Sequence, residues 1–284
     1  MKNYGPKVRL TSAMLLLLLL MQGASAAFAR QAGRGVLTKE EERQAREVAA
    51  AFTDRLIETH DFAQVVGELY VSDFAARYLK REAASAARGR GETFMLAGVP
   101  ALSFKQTLAA RADDEYWPRL YAAANNIINY GFLLLLSKKT LKELSDPEKF
   151  DEREMLAIYP PEAVRVLDRN PTTANFLKMK GRPVEVATPD DLREVTTTLE
   201  EAARLTRAGL GERLPRGTRL EQNLGMLKAA SARTPVELLP SDEDLLGYPK
   251  GTRLFRVFAP IGYNLILVKE GGSMKIVWAN MPED

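Results

Sequence analysis

The sequence predicts an α+β protein that is predominantly helical and ends in an antiparallel sheet of three to four strands. From residue 38 to residue 232, apolar residues recur at helical spacing between capping residues and prolines. After Pro235, short runs rich in β-branched and aromatic residues replace this pattern. With 46% hydrophobic and 27% charged residues in a chain of 284, the composition is that of an ordinary globular protein. We therefore expect one domain over residues 38–284, helical over 38–232 and sheet-forming over 235–281.

The first 26 residues have the three-part pattern of a secretory signal peptide. Three basic residues and no acidic one precede an uninterrupted apolar run over residues 13–21, and small residues follow it. We expect cleavage after Ala26 or after Ala29, with residues 27–37 forming a flexible leader. An uncleaved membrane anchor is the alternative, but the apolar run is far shorter than the ~20 residues that cross a bilayer. The sequence thus predicts an exported protein, periplasmic or secreted.

Capping residues mark the first helices of the mature chain. Thr38 and Glu41 form a capping box that opens a helix running to about Thr59. Asp61 is expected to cap a short second helix. Ser72 or Asp73 is expected to cap a third helix. Its inner face would carry Phe74, Tyr78 and Leu79, and Gly89 and Gly91 would end it.

The most apolar helix of the mature chain is predicted from about residue 115 to residue 137, after Asp113 and Asp114. Residues 120–136 carry no charge, a property that membrane spans share. Three asparagines and a glycine interrupt this stretch, which is also short for a span, so we expect a buried core helix. No stable membrane span is therefore expected once the signal peptide is removed.

Prolines and glycines delimit the remaining elements. Pro161 and Pro171 each stand at the first position of a short helix. Pro189 starts a longer helix that we expect to end at Gly209, and another helix is predicted over residues 220–230. A glycine pair forms the last hairpin turn, and residues 265–268, apolar on both faces, predict a central strand. The predicted strands are residues 236–239, 253–258, 263–269 and 274–279.

Two residue counts limit the chemistry of the chain. It has no Cys, which excludes disulfides, thiol catalysis and Cys-ligated metals, and one His, which excludes a metal site with two imidazoles. Motifs for nucleotide, dinucleotide or calcium binding fail on inspection, so we expect neither a cofactor nor a metal site. Residues 1–26 hold three of the 40 basic residues and none of the 37 acidic ones, so the mature chain has no net charge. A nucleic-acid partner is therefore not expected.

His60 and Asp61 are the candidate catalytic residues. His60 is the only conventional base at neutral pH, and its neighbour Asp61 is placed to orient it in a His–Asp dyad. The alternative is that His60 is a cation favoured by the C-terminal dipole of the first helix. No nucleophile motif accompanies the pair, so both interpretations stay open.

Tyr121, Asn125 and Asn129 are the candidate ligand-binding residues. They recur at i, i+4 and i+8 on an otherwise apolar helix and should form one polar stripe. An unpaired buried amide costs roughly 1–3 kcal/mol, so these side chains need partners. Either loops of the protein supply the partners, or the stripe lines a pocket that accepts a polar ligand or water.

Two segments resemble the nuclear transport factor 2-like superfamily. Residues 49–52, leading through His60-Asp61-Phe62 to residues 69–74, resemble its helical opening. Residues 269–278 resemble its closing hairpin. Members of that superfamily include ligand-binding proteins and enzymes such as isomerases and dehydratases. The resemblance therefore implies a cone-shaped pocket rather than a particular reaction.

The leading hypothesis is a non-catalytic exported protein that binds an unknown small molecule or a protein of the bacterial envelope. One alternative is a small-molecule enzyme of the isomerase or hydrolase type, with an apolar pocket and the His60–Asp61 pair. Another is an envelope scaffold, which should expose an apolar patch to its partners. The sequence leaves the ligand, the catalytic competence and the oligomeric state open.

Overall fold

A computed structural model describes residues 36–74, 76–77, 93–96, 99–103, 116–144, 157–169, 189–213, 218–239, 248–249 and 251–280. Within these ranges the chain has seven helices and a four-stranded antiparallel sheet at its C-terminal end, which confirms the α+β class. Several predicted features lie outside the described residues: the signal peptide, both cleavage sites, most of the leader, the third helix beyond residue 77, residues 113–115 and the helix at Pro171.

The first two helices confirm the predicted capping. Helix α1, Lys39–Thr59, begins with a capping box in which Thr38 Oγ1 accepts from the Glu41 N–H (3.1 Å) and Glu41 accepts from the Thr38 N–H (2.9 Å). Helix α2, Phe62–Leu69, begins after Asp61, whose carboxylate accepts from the Ala63 N–H at 2.9 Å. Between the two helices, the backbone of His60 is left-handed, with φ at 51°, and turns the chain.

Helix α3, Tyr116–Lys138, is the predicted apolar helix, and the short helix α4, Leu141–Leu144, follows it. Within the described ranges, Pro118–Lys138 is the one helix long and apolar enough to cross a membrane. Inside the protein, however, 94% of its apolar window is buried. Burial of this extent is typical of a core helix, as the interrupting asparagines suggest.

Three further helices confirm their predicted positions, but one of them ends later than expected. They are α5, Pro161–Arg169; α6, Pro189–Arg213; and α7, Thr218–Ser231. Because α6 continues through Gly209 to Arg213, the prediction that Gly209 ends this helix is wrong. A Cβ at Gly209 would lie 2.7 Å from Cγ of Pro160, so this glycine permits close packing rather than termination.

A two-stranded sheet lies inside the region predicted to be helical. Strands β1, Thr93–Leu96, and β2, Val99–Ser103, pair antiparallel with a register shift after Phe94. They are only four and five residues long, and the second contains Pro100, so their sequence carries little strand signal. The helical prediction over residues 38–232 needs this correction.

The C-terminal sheet contains four strands whose spatial order follows the sequence. Gly271 and Gly272 both have positive φ, 58° and 88°, and form the predicted turn of the last hairpin. Residues 265–268 are all buried, as expected for a strand covered on both faces. The strands are β3, Glu237–Leu238; β4, Leu254–Ala259; β5, Tyr263–Glu270; and β6, Ser273–Asn280.

The core lies between the helices and this sheet. Helix α1 packs against β4 and β6, while α3 contacts α2, α6 and α7. An aromatic cluster fills the junction between α1, α2, α3 and the sheet: Phe52, Phe62, Tyr70, Phe74, Tyr121 and Tyr263. The tyrosines and asparagines of α3 between residues 121 and 130 are therefore placed inside the core.

The start of α1 is tied to the sheet by an ion pair. Arg253, which precedes β4, donates two hydrogen bonds to the Glu41 carboxylate at 2.9 and 2.8 Å and one to the Val36 carbonyl at 3.1 Å. Burial alone would raise the pKa of Glu41, but the bonds from Arg253 and Thr38 hold it below its ordinary value of 4.5. This pair joins residues 212 positions apart.

Gly131 of α3 is expected not to tolerate alanine, because a Cβ there would lie 2.9 Å from Tyr159 Cζ and overlap its hydroxyl. The Gly131→Ala variant should lower the free energy of unfolding by about 1–3 kcal/mol, as overpacking a core does. Gly225→Ala in α7 is the matched control, since nothing lies within 4 Å of its Cβ position. The control should raise the free energy by up to ~1 kcal/mol through helix propensity. Urea unfolding followed by circular dichroism measures both, and stabilisation by both would contradict the prediction.

Candidate functional site

The three residues of the polar stripe lie on one face of α3, and all are buried. The Tyr121 hydroxyl donates to the Ala279 carbonyl of β6 at 2.9 Å and lies 3.4 Å from the Tyr70 hydroxyl. Asn125 Nδ2 donates to the Tyr121 carbonyl at 2.8 Å, and Asn125 Oδ1 accepts from the Tyr263 hydroxyl at 3.1 Å. The first two members of the stripe are therefore paired within the protein and hold α3 to the sheet.

Asn129, one turn further along α3, differs from both. Its side chain is 0% exposed, and neither Oδ1 nor Nδ2 has a hydrogen-bond partner. Leaving a buried amide unpaired costs roughly 1–3 kcal/mol. Asn129 therefore has an unused hydrogen-bond acceptor, Oδ1, and an unused donor, Nδ2.

Burial keeps the tyrosine hydroxyls around the stripe protonated. It raises the pKa of Tyr121 well above its ordinary value of 10, the adjacent Tyr70 adds to the shift, and burial also raises the pKa of Tyr263. Edge-to-face contacts fix both rings, with Tyr121 5.5 Å from Phe62 and Tyr263 5.4 Å from Phe52 between ring centroids. These tyrosines therefore act as hydrogen-bond donors and not as bases near neutral pH.

Two side chains of α3 hold the α1–α2 corner, which comprises residues 59–62. Asn126 Oδ1 accepts from the Phe62 N–H at 2.6 Å, which satisfies a free donor at the start of α2. The Tyr130 hydroxyl donates to the His60 carbonyl. Asn126 and Tyr130 are not among the predicted site residues, although their spacing of four on one helix is a signal that could mark them as a pair.

The side chains of His60 and Asp61 make separate contacts within this corner. Asp61 caps α2 through the Ala63 N–H and faces Arg207 of α6 at 3.4 Å, while Nδ1 of His60 is buried without a partner. Burial, and then the positive charge of Arg207, lower the pKa of His60 below its ordinary value of 6.5. Nδ1 of His60 thus makes no hydrogen bond to Asp61. The lowered pKa also means that this site disfavours the protonated imidazole, which the dipole of α1 alone would favour.

The polar stripe and the corner meet on neighbouring faces of α3. Asn126 and Tyr130 directly follow Asn125 and Asn129 in the sequence, and successive residues of a helix point about 100° apart. The hydrogen bonds from α3 to the corner come from Asn126 and Tyr130 and not from the stripe. His60 is therefore close to α3 but contacts a different face of it.

An open groove of about 420 Å³ lies between α1, α7 and the sheet. Val257 forms part of its apolar floor, and charged pairs form its walls: Arg46 with Glu42 at 2.6 Å, and Lys228 with Asp54. No sequence pattern marks this groove, because its lining residues come from three separate segments. Neither here nor elsewhere in the described ranges do three His, Cys, Asp or Glu side chains gather to hold a metal ion.

Replacing Tyr263 with Phe should destabilise the protein, because Asn125 Oδ1 would stay buried without its donor. We expect the free energy of unfolding to fall by about 1–3 kcal/mol. Tyr248→Phe is the matched control, since the Tyr248 hydroxyl is buried without a partner and its ring stays 3.9 Å from the Arg77 guanidinium. Urea unfolding compares the two variants, and an equal loss in the control would speak against the role given to the Tyr263–Asn125 bond.

Comparison with known proteins adds no relative to this picture. No protein-family model matches the chain, and no curated protein or solved structure matches it. The resemblance of residues 49–74 and 269–278 to the nuclear transport factor 2-like superfamily therefore stays a prediction.

Proposed function

We propose that this chain is an exported protein of the bacterial envelope that binds a small polar molecule at Asn129 and does not transform it. The fully buried, unpaired amide of Asn129 is the observation that supports binding. The depth of Asn129 in the core favours a small molecule over a protein partner. Export and an envelope location rest on the signal-peptide pattern of residues 1–26.

The two buried asparagines of the stripe support a partner from outside the chain. Asn125 has both of its polar atoms paired, by Tyr121 and by Tyr263. Asn129 has the same side chain and the same burial but no pairing. A leucine at position 129 would avoid this cost, so the amide disfavours folding in the absence of a bound group.

The chemistry of the amide limits the ligand. A carboxamide places an acceptor and a donor side by side, so its complement is a group that offers one of each, such as another amide. An ionised group is disfavoured because burying a charge without a counter-charge is expensive. Ile128 precedes Asn129, Leu133 lies about one helical turn further on, and both are buried. This setting favours a small neutral ligand with one amide-like group over an ionised one.

Catalysis and scaffolding receive less support. An isomerase or hydrolase with His60 as its base needs Asp61 to orient the imidazole, whereas Asp61 caps α2 and faces Arg207. A scaffold needs a contiguous apolar surface. In the part of the chain that the structure describes, the exposed large apolar side chains are Val36 and Met226, which are too few for such a surface.

The Asn129→Leu variant separates a binding role from a structural one. Because Asn129 has no partner to lose, the variant should raise the free energy of unfolding of ligand-free protein by about 1 kcal/mol. Asn125→Leu is the control and should lower it by about 1–3 kcal/mol, since Tyr263 and the Tyr121 carbonyl lose their partner. Both are measured by urea unfolding of protein refolded from denaturant, so that no ligand remains. A loss at Asn129 as large as that at Asn125 would contradict the proposal.

Native mass spectrometry of the protein purified from its own envelope tests the ligand directly. We expect a small molecule to accompany the wild-type protein and to be absent from Asn129→Leu. A protein partner without a small molecule would favour the scaffold instead. A high-resolution structure with a single water molecule on the Asn129 amide would also overturn ligand binding.

A further inference from the structure

The α1–α2 corner has a second property that ligand binding at Asn129 does not use. Among the described residues other than glycine, His60 alone has a positive φ, 51°. Glycine adopts this conformation without steric cost, whereas a residue with a Cβ adopts it uncommonly, although His does so more often than most. The imidazole is half-buried, and its Nδ1 is fully shielded from water without a hydrogen-bond partner. The only His of the chain thus occupies a strained backbone position with one ring nitrogen unsatisfied.

Within the described ranges, the groups that reach the corner from α3 and α6 are Tyr130 and Arg207, and neither brings a negative charge to His60. Arg207 comes from α6 and donates to the Thr59 carbonyl at 3.0 Å. Tyr130 comes from α3, and its hydroxyl stays neutral because burial raises its pKa. A second positive charge in the corner would therefore face Arg207 without compensation from α3 or α6.

The carboxylates next to the corner are already engaged. Asp61 accepts from the Ala63 N–H and from Arg207. Glu58, in the last turn of α1, pairs with Arg55 at 3.4 Å. Protonated His60 would have to displace one of these partners to gain a carboxylate acceptor.

We propose that the contact between the α1–α2 corner and α3 is acid-sensitive and opens when His60 is protonated. Both ring nitrogens of an imidazolium carry a proton, so Nδ1 of protonated His60 is an N–H with no acceptor in its buried position, and a cation stands beside Arg207. Rotation of the imidazole into water removes both penalties. In the proposed opening the His60 backbone also leaves its left-handed conformation, and the bond from Tyr130 to the His60 carbonyl breaks.

The direction of the pH dependence follows from the same contacts. The closed corner lowers the pKa of His60, so the open form takes up the proton at a higher pH than the closed form. Closure is fully favoured above the ordinary pKa of 6.5 and weakens as the pH falls through and below that value. Acidification therefore favours the open form of the corner.

Because the chain has one His, NMR can follow a single imidazole signal in the purified protein from about pH 8 to about pH 5. We expect its titration midpoint to lie below 6.5. Over the same range, the protection of the Phe62 N–H against hydrogen exchange should fall roughly two- to tenfold. A midpoint at or above 6.5, or an unchanged protection factor, would overturn the proposal.

Two variants locate the effect. His60→Asn is the control, since asparagine tolerates the left-handed conformation but does not titrate, and its Phe62 protection should not change over this pH range. Arg207→Gln keeps a donor for the Thr59 carbonyl but removes the charge, and it should move the His60 midpoint towards 6.5. A pH response that persists in His60→Asn would overturn the proposal, as would a midpoint that Arg207→Gln leaves unmoved.

Discussion

The burial of α3 on every side is the constraint on which the rest of the structure depends. A helix that brings amides and hydroxyls into a core requires hydrogen-bond partners there, because unpaired polar groups are costly. The sheet supplies partners to Tyr121 and Asn125, and the start of α2 supplies one to Asn126. These bonds specify how α3 is rotated about its own axis. Apolar packing alone would fix that rotation less sharply, since apolar contacts have no direction.

Three asparagines within five positions of α3 show how strongly context decides the role of one side chain. Asn125 is paired on both sides, and Asn126 caps another helix. Asn129 is left with neither kind of contact. The position of each asparagine around and along the helix thus decides its role. Asn125 and Asn126 make structural hydrogen bonds, whereas the amide of Asn129 makes none.

The predictions that hold best depend on residues close together in the sequence. The capping box of Thr38 and Glu41 and the turn at Gly271 and Gly272 are of this kind, and the structure confirms both. Gly209 is different, because its role depends on Pro160, which approaches it only in the folded chain. The different fates of Asn125 and Asn129 could not be predicted either. The deciding partner of Asn125 is Tyr263, which lies 138 residues away.

The docking of α1 on β4 and β6 affects when the chain can finish folding. Its first described helix is held through Glu41 by Arg253, 212 residues later, and packs on strands that include the last of the sheet. Contacts of such long sequence separation form slowly, because a large loop must close first. A chain that leaves the ribosome N-terminus first has no sheet for α1 until its final hairpin is made. Late docking of α1 would suit the proposed export, because a chain that is threaded through a membrane must stay unfolded until it has crossed.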